Sequence, residues 1–153
     1  MERWFAQGGR GVDTAWMYNN QIVVGWALGN TSQPLREDVF VTSKVPCVGT
    51  AEGALKYIKQ DLAQLAVPQV DLMLIHSPAA LGCPPGLGRP CCVNASDIQA
   101  TWKGLEQALA QNLTRAIGVS NFAAKDIKAV TANGATVPSV NQARPSRPRK
   151  RPR

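Results

Sequence analysis

No run of this chain approaches the ~20 consecutive apolar residues that a membrane-crossing helix needs. Its first ten residues, MERWFAQGGR, lack the apolar centre of a secretory signal. These two absences set the expectation of an intracellular, cytoplasmic protein with no membrane partner. Histidine occurs once, as His76, and none of the four cysteines has a CxxC spacing. A structural zinc site is therefore not expected, and no metal is assigned. An intracellular reading also argues against a disulfide framework among Cys47, Cys83, Cys91 and Cys92. The Gly-rich dinucleotide signature G-x-G-x-x-G is absent, and GTAEGA after Lys44 does not match it. That excludes the usual Rossmann cofactor site and disfavours a doubly wound open sheet. Acid is scarce, with 10 acidic against 17 basic residues. The imbalance is local, because the segment ARPSRPRKRPR at 143–153 holds six basic residues and no acid. Without it the chain is nearly neutral. Residues 1–142 read as one domain and residues 143–153 as a disordered basic tail, which its prolines keep from forming a helix.

What is present is alternation. The segment GVDTAWMYNN at 11–20 opens as a strand through Val12 and exits through Asp13 towards Tyr18. IVVGWAL at 22–28 fits a helix. VFVTSK at 39–44 is rich in β-branched residues and predicts a strand. Ala51, Ala54, Leu55, Ile58, Leu62 and Leu65 recur with helical spacing, and Pro68 ends that helix. VDLMLIHS at 70–77 is nearly continuous in apolar residues, as a strand covered on both faces is. A Pro/Gly-rich loop follows from Pro78 to about Ala95. Ser96 and Gln99 form a capping-box pattern before a helix carrying Trp102, Leu105 and Leu109. RAIGVSN at 115–121 is a strand, a weaker helix spans about 123–132, and VPSVNQ at 137–142 begins the last strand. Trp16, Trp26 and Trp102 are expected in the core or on helix faces. Three Asn-x-Ser/Thr triplets at Asn30, Asn94 and Asn112 read as coincidence.

A β-α alternation of this kind predicts a mostly parallel sheet, and in such sheets chemistry gathers at the carboxyl ends of the strands. Here those ends carry Asp13, Lys44, His76, Ser120 with Asn121, and Asn141 with Gln142. A tyrosine is a weak acid, with an ordinary pKa of about 10. A nearby ammonium eases loss of its proton. Lys44 can supply that ammonium, and Asp13 can hold the lysine by a charge-assisted hydrogen bond. His76 can orient a carbonyl oxygen by donating a hydrogen bond. The set suits protonation of a carbonyl oxygen while hydride adds to the carbon. No side chain supplies hydride, so a nicotinamide cofactor is implied. Ser120, Asn121 and Gln142 can hold a carboxamide.

DTAWMYNN, the lysine ending VFVTSK, VDLMLIHSP, RAIGVSNF and VNQ occur in one order. Together they resemble the aldo-keto reductases, over about residues 5–142. The resemblance implies a (β/α)8 TIM barrel and NADP(H)-dependent reduction of small-molecule aldehydes or ketones to alcohols, without metal or flavin. It puts the family's catalytic positions on Asp13, Tyr18, Lys44 and His76, with Tyr18 as proton donor. The nicotinamide-carboxamide positions fall on Ser120, Asn121 and Gln142. A full barrel takes roughly 250 residues. The fold expectation is therefore α/β, an incomplete barrel made of strands two to six with their helices. Strand one is expected before Met1. Strands seven and eight, with the family's stacking aromatic and phosphate-holding basic groups, have no match after Gln142. Open sheet edges then favour self-association. The competing expectation is a catalytically inactive fragment whose tail, Arg144, Arg147, Arg149, Lys150, Arg151 and Arg153, binds nucleic acid or another acidic partner. The segment HSPAALGCPPGLGRPCC is expected to form one wall of the substrate pocket.

Overall fold

A computed structural model describes residues 1–30, 34–78, 92 and 94–143. The basic tail from Arg144 onward and almost all of the Pro/Gly-rich loop lie outside the described residues. Among the described residues the order is α1 (Glu2–Ala6), β1 (Gly11–Asp13), α2 (Gln21–Gly29), β2 (Phe40–Val45), α3 (Ala51–Leu65), β3 (Val70–Ile75), α4 (Ala95–Ala110), β4 (Thr114–Ser120), α5 (Ala124–Val130) and β5 (Asn141–Gln142). A single turn of 3-10 helix at Trp16–Tyr18 joins β1 to α2. No helix among the described residues is long and apolar enough to cross a membrane.

The five strands form one parallel sheet in the order β1-β2-β3-β4-β5. Sequence order and spatial order coincide, so the chain always winds onward in the same direction. A doubly wound sheet reverses at a switch point, and this one does not. The sheet curls instead. Gln142 at the end of β5 reaches across to Asp13 at the end of β1, with Nε2 donating to Oδ2 at 2.8 Å. The architecture is a half-barrel with helices outside, an incomplete (β/α)8 barrel as the sequence predicts.

Two faces of each strand go to two layers because side chains alternate. In β2, Val41 and Val45 join the core under the helices, together with Met73 and Ile75 of β3 and Ile117 and Val119 of β4. Ile58, Leu62 and Leu65 of α3 and Trp102 and Leu105 of α4 close over them. Thr42 and Lys44 take the opposite phase and turn towards the inside of the curl. Gly104 lets α4 approach α3, since a Cβ there would lie 2.5 Å from the Ala51 carbonyl oxygen. Asp71 ties the opposite pole, pairing with Arg36 at 3.4 Å and Arg115 at 3.2 Å and accepting from the Val41 amide at 2.8 Å.

Several sequence expectations need correction. The cap of α4 is Asn94, whose Oδ1 accepts from the Asp97 amide at 3.0 Å. Ser96 donates its hydroxyl to that same Oδ1 at 2.6 Å instead of capping. The backbone is still extended at Asn94, as an N-cap requires, whereas Ser96 and Asp97 already lie inside the helix. The last strand is short. Ser139 and Val140 already bond to β4, through Ser139 N to Ile117 O and Val119 N to Val140 O, both at 2.9 Å. Pro138 has no amide to extend the ladder towards Val137. The tryptophans do fall where expected: Trp102 is buried and donates to the Thr136 carbonyl, and Trp26 lies on the exposed helix face of α2.

The largest correction concerns cysteine. Cys47 and Cys92 are joined in a disulfide, with Cα atoms 5.7 Å apart. Both are buried. The expectation rested on compartment and missed the topology. The β2–α3 connection and the start of α4 lie side by side at one pole, and that brings residues 45 apart together. Thr101 of α4 packs its hydroxyl 3.5 Å from each sulfur and receives the Val48 and Gly49 amides at 3.2 and 2.8 Å.

Candidate active site

The strand ends meet at one pole, as parallel winding requires. Lys44 is 1% exposed and turns its ammonium to the ends of β1 and β2. Nζ donates to Asp13 Oδ1 and, at 3.0 Å, to the Thr14 carbonyl oxygen. Burying an ammonium is costly unless it is paired and hydrogen-bonded, and these two acceptors provide that. Asp13 is exposed, so its own charge remains hydrated on the mouth side.

Tyr18 sits above this pair at the end of the 3-10 turn. The Lys44 ammonium lies 5.2 Å from its ring centroid, within cation–π range. The His76 ring packs edge-on against it at 5.5 Å and 78°. The turn is fixed from below by Trp16, whose ring meets Tyr57 of α3 edge-on at 4.8 Å. Asn19 leaves the turn in the left-handed region at φ 52°, a conformation asparagine tolerates. Tyr18 is 48% exposed, so its side chain opens to the mouth.

His76 continues β3, with its amide bonded to the Val45 carbonyl at 2.9 Å. Burial lowers its pKa below the ordinary histidine value, the Lys44 charge lowers it further, and Asp13 opposes both. The imidazole is therefore neutral at pH 7. Its Nδ1 is buried without a hydrogen-bond partner.

Ser120, Asn121 and Gln142 form the other rim. Ser120 Oγ donates to the Gln142 carbonyl at 2.7 Å, and Asn121 Nδ2 donates to the His76 carbonyl at 3.0 Å and to Ser120 Oγ at 3.1 Å. Asn121 adopts φ 60°, which turns it off the end of β4. Its side chain and that of Gln142 are exposed at the mouth, next to His76 and Asp13. Paired donor and acceptor groups of this kind match a carboxamide. All seven residues singled out in the sequence thus come together, linked by one set of contacts.

Three further residues were not singled out. Thr14, Gln21 and Asp61 are buried polar groups behind the Lys44–Tyr18 pair. Asp61 had a legible signal, since it interrupts the apolar stripe of α3 between Ile58 and Leu62. Burial pushes its pKa up from 3.8 to about 6. The Ser43 hydroxyl, the Gln21 amide and the Lys44 charge pull the other way. Its Oδ2 and Ser43 Oγ both lack a hydrogen bond of good geometry, although they are close enough to interact.

A raised carboxyl pKa favours folding at low pH, and that contribution is lost as pH rises through the folded value. Between 3.8 and about 6 the shift corresponds to about 3 kcal/mol. Asp61→Asn has no carboxyl to titrate at this position. Wild type gains about 2 kcal/mol on that variant as pH falls from 8 to 4, with the change starting near pH 6 and reaching its full size only below 3.8. Urea unfolding of both proteins across this range checks it. A stability gap that does not vary with pH contradicts it.

The family model for the aldo/keto reductase family matches residues 1–151. Among curated relatives, the pig (Sus scrofa) aldo-keto reductase family 1 member A1 is 33% identical over 145 residues, covering 88% of this chain and 45% of that protein. Morphine 6-dehydrogenase of Pseudomonas putida is 34% identical over 141 residues, covering 90% and 42%. A solved aldo-keto reductase of Bombyx mori in complex with NADP superposes with a TM-score of 0.76 at 31% identity, over 92% of this chain and 45% of that one. The chain spans less than half the length of these relatives. Sequence and half-barrel agree with one another along nearly the whole of that span, and the chain belongs to the aldo/keto reductase family.

Proposed function

We propose that this chain carries the carbonyl-reducing pole of an NADP(H)-dependent oxidoreductase that converts aldehydes or ketones to alcohols. The observation that carries this reading is the buried Lys44–Asp13 pair beneath Tyr18, with neutral His76 alongside. When bound, NADP(H) supplies the hydride. The Bombyx mori relative was crystallised with NADP, which supports that cofactor. Ser120, Asn121 and Gln142 would hold the nicotinamide carboxamide. Gln142 and Asn121 offer both donors and acceptors to it.

Tyr18 gives its proton to the substrate oxygen as negative charge develops there. The Lys44 ammonium, held by Asp13 and the Thr14 carbonyl, stabilises the phenolate left behind. His76 orients the carbonyl. Its Nδ1 is buried, so Nε2 is the nitrogen offered to the substrate oxygen. A neutral imidazole donates a hydrogen bond there without competing as a proton source. The reading is tested by following NADPH absorbance with a panel of aldehydes and ketones. Turnover that requires both NADPH and a carbonyl is expected. Absence of turnover with every carbonyl tried, in a chain that unfolds cooperatively, contradicts it.

A further inference from the structure

We propose that Asp61, acting through Gln21, is a positioning residue that sets the segment carrying Tyr18. This rests on the reading of Tyr18 given above. The observations form a continuous relay from α3 to the active pole. Asp61 Oδ1 accepts from Gln21 Nε2 at 2.9 Å. Gln21 Oε1 accepts from the Asn20 amide at 3.1 Å. Asn20 Oδ1 accepts from Thr14 Oγ1 at 2.7 Å. The Thr14 carbonyl accepts from Lys44 Nζ at 3.0 Å. The relay therefore grips the turn at both ends, at Thr14 and at Asn20, with Tyr18 between them.

Asn20 occupies the N-cap of α2, where its side chain would ordinarily accept a hydrogen bond from the first turn. It makes no such bond. Its side chain faces back to Thr14 and closes the turn. Helix stability is given up locally, and the geometry of residues 14–20 is gained. Among the described residues the Tyr18 side chain has no comparable anchor of its own. It is half exposed, its ring contacts are edge-on or over a cation, and its amide bonds only within the turn, to Ala15 O at 2.8 Å. Its position is inherited from the ends of the segment.

Asp61 contributes a property that a neutral residue lacks. A carboxylate only accepts hydrogen bonds, whereas an amide both donates and accepts. Facing Asp61, the Gln21 amide has one favourable orientation, with Nε2 towards Asp61 and Oε1 towards the Asn20 amide. An asparagine at 61 pairs with either orientation of Gln21, accepting from Nε2 or donating to Oε1, so the flip is no longer fixed. Among the described residues the charged group acting on Asp61 is Lys44 of β2, with Ser43 of β2 and Gln21 of α2 as its polar neighbours.

Four proteins test this: wild type, Gln21→Met, Gln21→Glu, and the double variant Gln21→Glu with Asp61→Asn. Gln21→Met keeps the length and removes the relay. Gln21→Glu sets two buried carboxylates against each other. The double variant restores one acid and one amide with their positions exchanged. Two readouts are taken on the full chain, amide hydrogen exchange by residue and kcat against KM for NADPH. Gln21→Met is expected to speed exchange in residues 14–20 by about ten-fold or more while β3 is unchanged. It is expected to lower kcat by about 10- to 100-fold with KM for NADPH unchanged. Gln21→Glu is expected to be worse on both readouts, and the double variant to recover. Unchanged exchange in residues 14–20 of Gln21→Met overturns the proposal. So does an equal rise in β3, which makes Gln21 a general stability residue, and so does a double variant no better than Gln21→Glu. The exchange readout needs no turnover. If wild type proves inactive, the reductase reading fails, while faster local exchange with recovery in the double variant still upholds the positioning role.

Discussion

Tyr18→Phe is expected to lower the rate of the proposed NADPH-dependent carbonyl reduction by about 100- to 10,000-fold, the range for loss of a general acid. The fold is unaffected. The ring contacts to His76 at 5.5 Å and to the Lys44 ammonium at 5.2 Å use the aromatic face and edge, which phenylalanine retains. The hydroxyl takes no part in the hydrogen bonds that hold residues 14–20. A half-exposed group with no such role changes stability by about 0.5 kcal/mol or less. The loss is therefore expected in kcat, with KM for NADPH and the urea midpoint unchanged. Steady-state kinetics and urea unfolding on the same preparations separate these. Equal rates in both proteins reject Tyr18 as proton donor.

Removing the Cys47–Cys92 bond, as the Cys47→Ala/Cys92→Ala variant, destabilises the fold by up to about 4 kcal/mol. The bond closes a loop of 45 residues, and its removal frees that loop in the unfolded chain. The closed loop contains α3 and β3, so the cross-link restrains the unfolded chain across the middle of the sheet. Small buried side chains at both positions keep the packing loss modest. The variant also leaves Thr101 bonded to the Val48 and Gly49 amides, so the β2–α3 connection stays fixed in the native state. Urea unfolding in oxidising buffer gives the comparison, and adding a dithiol reductant to wild type should move it to the midpoint of the variant. Identical midpoints for all three samples contradict the cross-link.

The sequence made some parts of this molecule legible and hid others for physical reasons. β2, α3, β3 and β4 were readable because a buried strand or an amphipathic helix imposes its own period on the residues. The seven pole residues were readable because parallel winding delivers every strand end to one side. Lys44 at the end of VFVTSK and His76 at the end of VDLMLI have no local partner, and their chemistry emerges only when the strands align. Gln21 and Asp61 were less visible. Their bond joins α2 to α3 across 40 residues, and no local pattern encodes that distance. Even so, an aspartate inside the apolar stripe of α3 is a mark worth reading as a buried acid. The Cys47–Cys92 bond was hidden in the same way, behind a long connection whose course sequence periodicity does not describe. β5 was overextended because Val137 and Val140 look like strand residues, whereas Pro138 interrupts the ladder that would join them.

The central claim is that this pole delivers hydride from NADPH to a carbonyl carbon with Tyr18 supplying the proton. Reduction of an aldehyde with NADPH carrying deuterium at the transferable position of the nicotinamide tests it most directly. Mass spectrometry of the alcohol is expected to find the deuterium on the carbinol carbon, formed by wild type and nearly abolished in Tyr18→Phe. An alcohol without deuterium at that carbon, or one formed equally by Tyr18→Phe, would contradict the account.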